Sequence, residues 1–481
     1  TPYPPARPET KHTEEELGKF RSKYCAKESI LEALGSGDTV LVKGTWLVEW
    51  AGSGKTLPKR QDLPADAIWD VKEEGRKVSK TRHGAAWMKQ DVILAALSYC
   101  WATPEHPDPT GEQLRRVAPV VEMFLTYCEQ VAIFIDWCSI YQAPRNDEQQ
   151  ASFKRALGNV NLWYVHELVF SLLLTVVPEG VKAYKERGWP SFEFAISSLI
   201  KNDNMFLDLA GLPEPPPKCD GFQDILEKLM YACRISRPPP CTPANFRAKL
   251  DGLHFTNGAD RGFVMKKYIS TFEEVMASAE YFELTRLNWD ARDGKELAEA
   301  LPWCSSLGKL DVTSSKISTE GIRHIAAALV DCPTVHTLDV ENCEMGDAGV
   351  QYLVAKLHET SVVNLWIARN GVSDIGVGFL ADMLEDKDCK ILEISLKGNE
   401  VTDAGAAQLA TALRREGCPL KLLRLNEMAS IGAPAAEVLV AVAKESSCLQ
   451  TLDFRNTSIG DTGKECVQAA MKECPRLKIQ F

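Results

Sequence analysis

Three polar side chains stand where apolar runs of this sequence end. Ser98 follows VILAAL, Asp136 follows VAIFI, and Glu193 lies in WPSFEFAISSLI, the helical stretch after LVFSLLLTVV. With Tyr99 and Ser139 at the same run ends, they are groups that can line a polar ligand crevice if the fold brings the ends together. Loops also turn polar wherever a buried strand stops, so a solvated strand end is the alternative reading. A second candidate is EWAGSGKTLP, residues 49–58, which contains GSGKT, the tail of a phosphate-binding loop. That loop needs Gly, four residues, then Gly-Lys-Ser/Thr, with a helix beginning at the Lys. Its first position here is Glu49, an anion where an anion would bind, and Pro58 and Pro64 interrupt any following helix. TWLVEW, Thr45 to Trp50, alternates like a strand, so a β-hairpin turning at Gly52-Ser53-Gly54 is expected.

The elements that must position the three groups alternate in type. Asp91–Trp101 reads as a strand, Glu112–Cys128 as a helix, Val131–Ile140 as a buried strand, and Asp147–Glu167 as helical. Leu168–Val177 reads as a third buried strand and Trp189–Ile200 as a third helix. Continuous apolar strands separated by helices imply a parallel sheet covered on both faces, a doubly wound α/β domain. On this reading Trp137, Cys100 and Cys138 are core residues and His166 is a capping or packed imidazole.

With 481 residues there is room for two or three domains. The formal net charge of -11 opposes binding to nucleic acid and anionic membrane. The basic stretch Arg76 to Arg82 has no aromatic interleaved and reads as a solvated loop. Leu168–Val177 is about half the ~20 residues of a membrane span, so none is expected. The 15 cysteines form no CxxC pair, and no His stands at metal spacing. We expect no metal, and a cytoplasmic or other reducing compartment. The sequence begins at Thr1, so a targeting peptide could precede it. Thr1 to Thr13 is too Pro-rich to fold alone.

The second half is periodic. LGKLDV (from Leu307), VHTLDV (Val335), VVNLWI (Val362), ILEISL (Ile391), LKLLRL (Leu420) and LQTLDF (Leu449) start 28, 27, 29, 29 and 29 residues apart, with a weaker copy, FELTRL, from Phe282. In five of them an aliphatic follows after ten residues and a glycine after fourteen (Gly321, Gly349, Gly376, Gly405, Gly463); the Leu420 unit has Pro434 instead. Each unit is a short strand followed by an amphipathic helix and resembles the leucine-rich repeat of the ribonuclease-inhibitor type. Asn370 and Asn399 hold that pattern's Asn position, with Ser315, Cys343, Met428 and Thr457 elsewhere. Stacked units make an α/β solenoid whose strands line a concave face. Outward-pointing Asp339, Glu341, Trp366, Arg369, Lys397, Arg424 and Arg455 are the partner-binding candidates, Trp and Arg being common interface anchors; a polar face needed only for solubility is the alternative.

LSYCW (Leu97 to Trp101), IDWCSIYQ (Ile135 to Gln142) and the helix with Trp163-Tyr164 resemble the heterokaryon-incompatibility (HET) domain pattern L-S-Y-x-W-G, I-D-x-x-C-I-x-Q, M-x-x-I-Y-x-x-A. That family is similar in fold to the Toll/interleukin-receptor (TIR) domain, and Trp189-Pro190-Ser191-Phe192-Glu193 resembles the TIR W-C-x-x-E motif. Departures are Ala102 for Gly, Ser139 for Cys, Val160 for Met, Glu167 for Ala and Pro190 for Cys. Catalytic TIR domains cleave the nicotinamide–ribose bond of NAD, and the resemblance places Glu193 as their essential glutamate, stabilising charge at the anomeric carbon, with Asp136 and Ser98 beside it. Other members act only by assembling. Glu193 also reads as a surface carboxylate favoured by a helix N-terminus.

The expected architecture is α/β throughout: an N-terminal extension with the hairpin (1–90), a HET/TIR-like doubly wound domain (91–209), a Pro-rich linker with a helical cap for the repeats (210–281), and the leucine-rich repeats (282–481). The leading functional expectation is an interaction protein whose concave face captures a protein partner while the HET/TIR-like domain serves signalling or assembly. The alternatives are a TIR-like NAD glycohydrolase using Glu193 and regulated by the repeats, with NAD as substrate and no cofactor expected, and a structural subunit of a large complex.

Overall fold

A computed structural model describes residues 12–78 and 91–481. Most of the Pro-rich start (1–11) and part of the basic stretch (79–82) lie outside the described residues. The chain forms two compact units, His12–Met276 and Ala277–Phe481.

The first unit is built on five strands, β1 (Val42–Lys43), β2 (Val92–Ser98), β3 (Gln130–Phe134), β4 (Val169–Leu173) and β5 (Phe206–Asp208), in the order β1-β3-β2-β4-β5. All pairs are parallel except β1 with β3. Alternate residues go to opposite faces. Ile93, Ala95, Leu97, Ile133, Phe170 and Leu172 share a core with Val117, Val121 and Phe124 of the helix Glu112–Leu125. On the other face Phe134 stacks on Trp163 at 5.4 Å, Ser171 bonds Ser197 and, at 2.7 Å, the buried Lys201. Both faces are covered, so the strands can be apolar throughout.

Several expected boundaries shift. Thr45–Trp50 is not a strand but part of the helix Gly44–Gly52. Trp46 and Trp50, four residues apart, stack at 4.8 Å, and Gly44 lets the helix lie against Val131 and Val121, where a Cβ would come within 2.7 and 2.9 Å. The apolar spacing was helical, and its apparent alternation misled. Gly54 ends the helix at φ 72°, so GSGKT is a helix-end turn. The strands expected to reach Trp101 and Ile140 stop at Ser98 and Phe134, because Asp136–Ser139 coils into a helical turn in which Ser139 Oγ accepts the Ile135 N–H. Asp147–Glu167 is two helices, Asp147–Gly158 and Val160–Val165. The helices expected to cap the repeats, Pro243–Asp251 and most of Asp260–Ser278, are built into the first unit. There Tyr24 bonds Glu274 at 2.6 Å, Asn161 bonds Thr271 at 2.9 Å and Trp189 bonds Asp260 at 3.0 Å.

The second unit carries one parallel sheet of eight strands in chain order: β6 (Tyr281–Glu283), β7 (Lys309–Asp311), β8 (Thr337–Asp339), β9 (Asn364–Trp366), β10 (Glu393–Ser395), β11 (Leu422–Arg424), β12 (Thr451–Asp453) and β13 (Lys478–Gln480). The last strand, whose signal is Leu477-x-Ile479, extends the seven units read from the sequence. Central residues Phe282, Leu310, Leu338, Leu365, Ile394, Leu423, Leu452 and Ile479 stack in register and are buried. The recurrent glycine has a packing reason: a Cβ at Gly405 would meet Asp374 Oδ1 at 2.3 Å and Val401 Cγ1 at 2.8 Å. The glycine column lets each helix settle on its own unit's aliphatic and the neighbouring unit.

Candidate functional site

Two sites stand out, one in each unit. In the first, β2→β3 and β4→β5 leave in opposite directions and their helices cover opposite faces, so the carboxyl ends of β2 and β4 form the topological switch point of the sheet. Ser98 ends β2 there. Its Oγ lies 2.5 Å from Glu193 Oε2 and 2.5 Å from the Tyr184 hydroxyl, all three buried. Tyr164 also bonds Glu193, and donates to Leu97 O at 3.1 Å. Burial, more than the nearby charge of Asp136, pushes the Glu193 carboxyl well above the usual carboxylate range, while the Ser98 and Tyr164 bonds oppose this. Glu193 is therefore a buried, hydrogen-bonded carboxyl, and its reading as a surface carboxylate is corrected.

Asp136 lies close enough for its charge to reach Glu193 but has its own donors: Tyr99 OH at 2.7 Å, Trp101 Nε1 at 2.9 Å and its neighbour Trp137 N at 2.6 Å. Burial raises its pKa against those bonds. The helix carrying Glu193, Gly188–Ser197, is held at its C-terminal end by the buried Arg237, which donates to Ser198 O (2.7 Å), Lys201 O (2.6 Å) and Leu199 O (2.9 Å). A cation among the orphan carbonyls of a helix end is favourable. The carboxyl is enclosed by Ser98, Tyr164 and Tyr184. Sequence reasoning missed the roles of Tyr164, Tyr184 and Arg237; Tyr164 and Tyr184 stood inside or beside the quoted motifs, whereas Arg237, beside a proline run, carried no signal. His166 is a packed imidazole, its Nε2 3.1 Å from Ala26 O. Cys100, pushed up to about 12 by burial, and the buried Cys138 stay as thiols.

In the second unit, three columns of side chains project from the sheet on its open side: the first and third residue of each strand, and the residue two further on. Trp366 is half-buried at mid-sheet, with Lys309 Nζ 4.7 Å and Arg424 Cζ 5.9 Å from its ring, so it is less exposed than expected. Lys309 also bridges Asp311 (3.0 Å) and Asp339 (3.4 Å). Both aspartates are 7% exposed, because neighbouring strands crowd the floor of the face. Burial, then the charge of Asp311, raises the Asp339 pKa. Glu341, Arg369, Lys397 and Glu427 join in one network, Arg369 reaching Glu427 at 2.6 Å and Glu341 at 3.6 Å, and Lys397 reaching Glu427 at 3.2 Å. Arg455 is apart, paired with Asp453 at 2.7 Å. The structure thus brings six of the seven expected partner-binding residues into two adjoining groups.

Among the described residues, no group of three or more His, Cys, Asp or Glu is placed to hold a metal, and no helix is long and apolar enough to cross a membrane.

The family model for the leucine-rich repeat matches residues 331–354, the segment that holds β8 and most of the following helix. The match and the repeated strand–helix units agree on leucine-rich-repeat-type units in the second part of the chain. No curated protein matches the chain. Among solved structures, the actin-binding site 2 of leiomodin-1 is similar over 34% of this chain and 79% of that one, at 16% identity and a TM-score of 0.23.

Proposed function

We propose that this chain is an interaction protein: the concave strand side of the repeats captures a protein partner, and the HET/TIR-like unit serves signalling or assembly by contact. The observation that carries this reading is Trp366, a large aromatic at the middle of an open, polar sheet face with cations on its ring, the composition of an interface anchor. Arg424 forms no ion pair among the described residues and offers its whole donor fork, whereas Arg369 is already committed to Glu427 and Glu341. The test is capture of the partner from the native source by charge-reversed variants. Arg424→Glu is expected to weaken capture about tenfold or more, as an interface hot spot does, with Arg369→Glu weakening it less. Unchanged affinity in a folded Arg424→Glu protein moves the binding site elsewhere.

A second reading, an NAD glycohydrolase of TIR type, draws support from one placement: Glu193 sits at the sheet's switch point against Ser98. In this reading the segment bearing Tyr184 opens, and Glu193 bonds the ribose hydroxyls. Glu193→Ala then abolishes NAD consumption; equal turnover by the variant ends this reading.

A further inference from the structure

We infer that the concave face selects its partner by a charge gradient along the solenoid, taking an extended segment with basic residues over β6–β8 and acidic residues over β11–β13. This deepens the proposed function and rests on it.

Strand by strand, the three open columns read Tyr281, Glu283, Thr285; Lys309, Asp311, Thr313; Thr337, Asp339, Glu341; Asn364, Trp366, Ala368; Glu393, Ser395, Lys397; Leu422, Arg424, Asn426; Thr451, Asp453, Arg455; and Lys478, Gln480. Over β6–β8 the carboxylates Glu283, Asp311, Asp339 and Glu341 stand against Lys309. Over β9–β10 Glu393 and Lys397 balance. Over β11–β13 the cations Arg424, Arg455 and Lys478 stand against Asp453, which pairs with Arg455, and Glu427, which is taken up by Arg369 and Lys397 from the neighbouring units. Trp366 marks the change of sign.

The internal ion pairs do not erase this gradient. Lys309 is shared between two buried carboxylates, so negative charge remains at that end. The chain itself shows what that end accepts: the Lys309 ammonium lies between Asp311, Asp339 and the rings of Trp366 (4.7 Å) and Tyr281 (5.4 Å), a setting that suits a lysine or arginine side chain. At the other end Arg424 has the planar fork that recognises carboxylates. Parallel strands lie about 4.8 Å apart, so β7 to β11 spans roughly 19 Å, about six residues of extended chain.

The test uses the full chain and three fluorescein-labelled twelve-residue probes, read by fluorescence anisotropy: a block peptide (four Arg, a Gly-Ser-Gly-Ser spacer, four Glu), a peptide of the same composition with Arg and Glu alternating, and a Gly/Ser peptide. The block peptide is expected to bind at least tenfold more tightly than the alternating one. Glu283→Lys and Arg424→Glu, at surface positions, should each remove most of that preference while far-ultraviolet circular dichroism is unchanged. Equal binding of block and alternating peptides, or a preference untouched by both variants, overturns the inference. A chain that sediments as a dimer and becomes monomeric in Arg424→Glu assigns the face to a second copy and also overturns it. Asn364→Trp adds bulk without charge at mid-face. Loss of native partner capture in that variant, with the two charged peptides bound alike, leaves the docking face standing and sinks only the charge rule. Capture unaffected by Asn364→Trp sinks the proposed function itself.

Discussion

Glu193 sets the residue scale for the first unit. Its raised pKa means that the folded chain holds a proton which the unfolded chain releases near the ordinary carboxylate value. Between that value and the raised one the native state binds more protons, so stability falls as pH rises through the window. Glu193→Gln keeps a neutral hydrogen-bonding side chain and should flatten this dependence. Thermal unfolding at pH 5 and pH 8 should show a smaller drop in Tm for Glu193→Gln than for the parent; an equal drop would mean that the carboxyl is ionised in the fold. In the second unit, Gly398 has φ 65°, and a Cβ there would stand 2.9 Å from Arg369 Cγ. Arg369 must cross Gly398 to reach Glu427 two units away. Gly398→Ala is expected to cost about 1–2 kcal/mol in chemical denaturation, mostly from the left-handed backbone, since an exposed ion pair is worth little.

At the scale of elements, buried Asn side chains tie successive repeats. Asn399 Oδ1 accepts from Asn370 N (2.8 Å) and Val372 N (3.1 Å), and its amide donates to Ile367 O (3.0 Å) and Leu396 O (2.8 Å). Asn370 serves Cys343 N, Val340 O, Ile367 O and Ala368 O in the same way. Strands three residues long cannot satisfy the turns that follow them, and these amides supply the missing partners. Removing one leaves several buried backbone groups unpaired, so Asn399→Ala is expected to destabilise the repeats by on the order of 2–4 kcal/mol, measured by urea unfolding. A cost below about 1 kcal/mol would mean that the ladder is replaceable by water. The two Asn positions were legible as part of a repeat, but the Asp column that links helix starts was not. Asp347 accepts from Ser373 N and Gly376 N, and Asp374 from Thr402, partners 26 to 29 residues away.

For the whole molecule, the balance of charge matters more than its total. The net charge is -11, and on the open side of the repeats Glu283, Asp311, Asp339 and Glu341 lie over β6–β8 while Arg424, Arg455 and Lys478 lie over β11–β13. Recognition through exposed charge is screened by salt, with a Debye length falling from about 30 Å at 0.01 M to about 3 Å at 1 M ionic strength. Affinity of the native partner is therefore expected to fall steeply between low and high salt, mostly through the association rate. A salt-independent affinity would point to the apolar rim of Trp366 as the main anchor.

Much of this protein was readable from periodicity. Repeat spacing, the buried leucine columns and the alternation of strands and helices between Asp91 and Leu209 follow from local pattern, because a residue's face is set by its neighbours a few positions away. The helix Gly44–Gly52, the fifth strand Phe206–Asp208, the clamp of Arg237 on a helix end and the closure of Tyr164 and Tyr184 over Glu193 were decided only in three dimensions. Those contacts join residues far apart in the chain, and their energies depend on burial and on which hydrogen-bond partners remain once water has been excluded, neither of which a local pattern encodes.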